Sequence, residues 1–169
     1  MASVLVWLEQ TWPSVWVREY PSLLGFPFIL FLHTLGLAML AGVSIGIDVW
    51  LLRARTFAQT LRMTGLIRVM WLGLGVNAAS GVALLLAYPA KALTNPVFYA
   101  KLLLVVLGVY AVAQINREMF PDGRAEIGAA VTKTAKRWAA ASLVVWGATI
   151  VTGRLLAYTH HVLFAFELQ

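Results

Sequence analysis

Three histidines and one arginine carry most of the chemistry this chain can offer in an apolar setting. His33 lies in the run FLHTLGLAMLAG at 31–42, Arg154 in GRLLAY at 153–158, and His160 and His161 directly after it. A neutral imidazole is a ligand for haem iron or copper. A guanidinium binds carboxylates such as haem propionates in a two-pronged fashion. There are no cysteines, which excludes disulfides, thiolate metal sites and cysteine nucleophiles.

The elements around these residues are built for lipid. Of the 169 residues 61% are hydrophobic and only 12% charged, against roughly 45–50% and 25% in a soluble domain. A bilayer span takes about 20 mostly apolar residues. Four segments meet that length: 27–52, 66–88, 96–114 and 138–158. The expected fold is all-α, a four-helix up-down transmembrane bundle over 21–169. Segment 1–20 stands apart as a short interfacial helical piece on the periplasmic side. There Trp7, Trp12, Trp16 and Tyr20 mix with Glu9, Arg18 and Glu19, and such rings favour the headgroup level. A partner subunit is the other surface this piece would suit. No signal peptide is expected, because no Lys or Arg precedes the apolar part and no cleavage site is evident.

Charge sets the orientation. Arg53, Arg55, Arg62 and Arg68 follow the first span, and Arg117, Arg124, Lys133, Lys136 and Arg137 lie between the third and fourth, nine of the thirteen basic residues. Basic loops stay in the cytoplasm, so both termini are expected in the periplasm. The net charge of +6 has this membrane explanation, and nucleic acid is not an expected partner.

Depth decides which polar residues can meet. His33 is six residues into the first span and Arg154 four residues before the end of the fourth. At 1.5 Å per residue both lie within about 6–9 Å of the outer ends. His161 shares a helical face with Arg154, and His160 points elsewhere. This grouping supports three readings. The first is a b-type haem held by His33 and His161 or His160, with Arg154 on a propionate, in a subunit passing electrons between quinone and a periplasmic redox partner. The second is cofactor-free: His33 bonds a neighbouring helix, Arg154 snorkels, and the chain is an accessory or assembly subunit of a larger membrane complex. The third is copper held by His33 and His161, with Met39 or Met1 assisting.

Other polar residues have simpler expectations. Asp48 would pair with Arg53 and Arg55. Asn77 and Ser80 would be interhelical hydrogen-bonding groups, and Lys101 would snorkel outward. Gly42 and Gly46 form a G-x-x-x-G, where another helix backbone can approach within the chain or in a homo- or hetero-oligomer. No nucleophile–base–acid set or phosphate loop is present, so no independent catalytic activity is expected, at most a redox role.

The patterns LHTLGLAMLAG…IDVWLLR, NPVFYAKLLLVVLG and GRLLAY are similar to a group of small bacterial four-span membrane proteins of unknown function, over about 23–159. This resemblance implies an inner-membrane protein and no stated activity. In general plan the chain also resembles the membrane domain of copper-resistance protein D and membrane cytochrome b subunits, which share an early first-span histidine. It departs from the former where MLAGVSIG replaces a Trp-x-Gly-Gly after the histidine, and from the latter in lacking paired histidine spacing.

Overall fold

The computed structural model describes residues 7, 10–19, 25–55, 64–119 and 130–167, with backbone only at 13, 18, 19, 64 and 157–167. Among these the chain is a helical bundle. Helix α1 is Trp12–Glu19, α2 Phe26–Arg53, α3 Thr64–Ala87, α4 Pro89–Leu93, α5 Pro96–Met119 and α6 Lys133–Glu167. Four helices contain stretches long and apolar enough to cross a membrane: Phe26–Arg53, Gly65–Ala87, Pro96–Met119 and Lys133–Leu156. Helix α6 starts before residue 138, where the apolar span is expected to begin, within the stretch 125–138 that the sequence reads as an amphipathic helical lead. Ala135 N–H donates to Thr132 Oγ1 at 3.0 Å, and Thr132 Oγ1 donates to Glu118 on α5 at 2.9 Å. Thr132 therefore caps α6 in the amphipathic lead before the apolar run. Helix α5 likewise runs past Gln114 to Met119, because Ile115 and Met119 continue its buried stripe. Its start is as expected: Val97 N–H donates to Asn95 Oδ1 at 2.9 Å, with Pro96 in the first helical position. The short connection AYPAKALTNP at 87–96, between the second and third spans, contains the helix α4.

Consecutive spans run antiparallel. Phe26 at the start of α2 meets Tyr88 just past α3, rings edge-on at 5.6 Å. At the opposite end Val131 N–H donates to Arg55 O, and Lys136 Nζ donates to Leu52 O at 3.2 Å. Helices α2 and α6 form the central pair, with α3 packed on α2 and α5 on α6. The first end, holding the start of α2, is called here the N-terminal end; the other, holding Arg53, Arg55, Arg117, Lys133 and Lys136, the basic end. Helix α1 lies against α3: Ser14 and Val17 are buried and Ser14 Oγ donates to Leu86 O, leaving Trp12 and Trp16 stacked and exposed.

The bundle is apolar outside, and its interior holds polar residues beside its large apolar ones. Val144 is 73% exposed and Val106 64%, while Ser44, Asp48, Ser142 and Thr149 are at most 1% exposed. An apolar exterior of this extent requires lipid.

Helix α2 touches α3 backbone to backbone. A Cβ added to Gly36 would lie 2.6 Å from Asn77 N, and one on Gly73 2.8 Å from Leu40 N. The close approach assigned from sequence to Gly42 and Gly46 is not made there within the chain, since both are exposed and meet nothing within 4 Å. Gly36→Leu is expected to destabilise the detergent-solubilised protein by at least about 1–3 kcal/mol through overpacking. Gly42→Leu should leave it within about 0.5 kcal/mol; thermal unfolding followed by circular dichroism compares them.

Candidate functional site

The backbone contact at Gly36 and Gly73 brings His33 of α2 against Asn77 and Ser80 of α3. Each partner bonds the other's main chain. Asn77 Nδ2 donates to His33 O at 2.8 Å, and His33 Nδ1 lies 3.1 Å from Asn77 O and 3.2 Å from Ser80 Oγ. A backbone carbonyl only accepts, so Nδ1 carries the proton. Asn77 and Ser80 are 6% exposed, and Ser80 Oγ also donates to Val76 O at 2.6 Å. Gly81 completes the seat: a Cβ there would lie 3.2 Å from His33 Cε1.

The other ring nitrogen faces α5. Lys101 Nζ lies 3.0 Å from His33 Nε2. With Nδ1 protonated, Nε2 of the neutral ring presents a lone pair, and the lysine donates to it. Lys101 reaches this position across α6, where its Cε is 3.9 Å from the place a Cβ on Gly153 would take. The result is a half-buried pair of nitrogen bases, joined by one hydrogen bond, near the N-terminal end.

The placement of the sequence candidates is mixed. His33 is the centre of the cluster. Arg154 follows Gly153, so it lies at the level of Lys101 as the depth argument expected, but it is exposed and donates none of the bonds to His33. His160 and His161 fall on the last turns of α6, where side chains lie outside the described residues. Met39 packs its Cβ against Gly73, at the α2–α3 contact. Among the described residues no group of three or more His, Asp or Glu side chains converges as a metal site.

Two expectations change. Lys101 does not snorkel outward; it turns inward, because His33 offers an acceptor at its own depth. Their shared depth was legible: Lys101 is five residues into its span and His33 six, both from the same end, or about 1.5 Å apart. Asp48 does not pair with Arg53 or Arg55. Its carboxyl is 0% exposed and finds no hydrogen-bond partner among the described residues, while both arginines are exposed at the basic end.

Comparisons with protein-family models, with curated proteins and with solved structures each found no match.

Removing the ring should leave Asn77 O and Lys101 Nζ short of partners inside the bundle. His33→Ala is expected to cost about 1–3 kcal/mol in reversible unfolding from micelles. Ser80→Ala should cost under about 1 kcal/mol, because Asn77 O still takes the Nδ1 proton. Equal losses for the two would show that the ring does not hold the helices together.

Proposed function

We propose that this chain is a cofactor-free accessory subunit of a larger membrane complex. One observation carries this reading. Both ring nitrogens of His33 are engaged by the protein's own groups, Nδ1 with Asn77 and Ser80 and Nε2 with Lys101. The polar ring in an apolar span is thereby offset by helix–helix hydrogen bonds, and needs no bound group to satisfy it. The reading gives the bundle a rigid α2–α3 unit and leaves other helix faces for a partner. Gly42 and Gly46, with open space beside them, are the face offered to a second helix within the bilayer. The subunit would sit in a bacterial inner membrane, its basic end in the cytoplasm and its N-terminal end in the periplasm, following the distribution of Lys and Arg.

A second reading keeps the haem b subunit between quinone and a periplasmic redox partner. What favours it is that Nε2 of His33 is covered by a single flexible side chain, Lys101, and that the helical backbone of α6 continues past Arg154 through His160 and His161 at the N-terminal end. His33 and one of those histidines would hold the iron, with Arg154 on a propionate. Lys101 would first have to leave the ring. Copper on His33 and His161 has the same requirement at Nε2.

One preparation separates these readings. Protein purified from cells supplied with haem precursor is expected to show no Soret band, oxidised or dithionite-reduced, and no stoichiometric copper. In membranes, Gly42→Leu is expected to reduce crosslinking to the partner at least several-fold while His33→Ala does not. A Soret band lost in His33→Ala would replace this proposal with the haem reading, and copper without porphyrin would replace it with metal handling.

A further inference from the structure

A second ionisable group lies far from His33. Asp48 is on α2, fifteen residues further along, about 22 Å toward the basic end. It is completely buried, and neither carboxyl oxygen has a hydrogen-bond partner among the described residues. It lines a cavity of about 10 Å³, together with Ser44 of its own helix, Ile67 of α3, and Ile115 and Asn116 of α5. From α6 the neighbour is Ser142, completely buried, whose hydroxyl is close enough to act on the Asp48 carboxyl without meeting hydrogen-bond geometry. We propose that Asp48 and this cavity form a proton-exchange site, in which the carboxyl takes up and releases a proton and one water in the cavity is its hydrogen-bonding partner.

The surroundings select a proton over a metal cation. A lone carboxylate in such a place costs several kcal/mol unless a charge pairs with it, and none of the described cations does. The groups facing it from α3, α5 and α6 are Ile67, Ile115, Asn116 and Ser142, none of them titratable. The nearby basic residues are turned elsewhere: Arg53, Arg117, Lys133 and Arg137 are exposed, and Lys136 donates to Leu52 O. Glu118 accepts from Thr132. A cavity of this size admits about one water, and a water needs two to four polar partners. The polar residues in its lining are Asp48, Ser44 and Asn116; the Asp48 oxygens have no other acceptor role among the described residues, and Ser44 Oγ, which donates to Leu40 O at 2.7 Å, can still accept. A dehydrated alkali or divalent cation would need some six oxygen ligands, more than this lining provides. The balance is simple: carboxylate and hydronium give carboxylic acid and water, and the water stays.

The site lies nearer the basic end than the N-terminal end. Arg53 closes α2 five residues beyond Asp48, about 7.5 Å away. In the other direction Trp146, one turn past Ser142 on α6, is fully buried against Gly108, where an added Cβ would lie 2.8 Å from the indole. The indole fills the interior between Asp48 and His33, so the shorter route for a proton runs to the basic end. This inference is independent of whether His33 binds a cofactor.

Infrared spectroscopy of the full chain in lipid bilayers tests it. The carbonyl-stretch band of a protonated carboxylic acid is expected near neutral pH. It should be absent in Asp48→Asn, shift in D2O, and give way to carboxylate bands as the pH is raised. Asp122 is the only other aspartate. Asp122→Asn with isotope-labelled aspartate therefore assigns the band even if Asp48→Asn fails to fold. The proposal is overturned if no Asp48-dependent acid band appears at any pH. It is equally overturned if the band ignores bulk pH, or if sodium ions abolish it at constant pH.

Discussion

The contact between the α2 and α3 backbones at Gly36 and Gly73 is the constraint on which the polar chemistry of this bundle rests. With side chains at these positions the helices would stand further apart. Asn77 could not then reach the carbonyl of His33 at 2.8 Å, nor could the imidazole reach Asn77 O at 3.1 Å. In lipid there is no water to complete a stretched hydrogen bond, so the glycines and the polar residues belong together. The reciprocal pattern also selects one tautomer. Once the main-chain carbonyl of Asn77 takes the Nδ1 proton, the Nε2 lone pair must find a donor, and Lys101 is the donor at that depth.

A second small-residue contact divides the interior. Gly108 on α5 admits the indole of Trp146, which fills the middle of the bundle with Leu40, Ala41, Met70 and Val112. Toward the N-terminal end lies the nitrogen-rich pair of His33 and Lys101. Toward the basic end lies the carboxyl of Asp48, beside a separate cluster of Ile47, Leu51, Ile115, Met119 and Ala139. A basic pair and a carboxyl group are thus held apart by an apolar plug. Each centre has to be satisfied locally, the first by helix carbonyls and hydroxyls, the second by the few polar groups around its cavity.

The distribution of large and small residues follows from the solvent. Lipid accepts Val106, Val144 and Leu103 on the outside without penalty, so apolar burial does not distinguish one face of a span from another. Helix association then depends on close packing and on internal hydrogen bonds. This is why Ser44, Ser142, Thr149 and Asn77 are found inside, and why deleting a large lipid-facing side chain would matter less than adding one methyl-bearing carbon at Gly36.

Composition and charge by themselves determined that the chain is an all-α bundle with four apolar helices and that its basic residues collect at one end, because these depend on the length and polarity of segments. Asn95 as the cap of α5 was equally legible, since capping needs only adjacent residues. Which face of each span turns inward was not. Spans apolar all round carry no stripe to mark the interior, so Gly36, Gly42 and Gly46 of the first span and Gly73, Gly75 and Gly81 of the second all suited close packing, and only the structure picks Gly36 and Gly73 for the backbone contact. Asp48 looked paired because arginines follow it in the chain, yet helix rotation carries it inward and them outward. Only the tertiary structure decided that His33 meets Lys101 and leaves Arg154 exposed: depth along the bilayer is additive in residues, whereas the rotation of a helix is settled by the packing of all its neighbours.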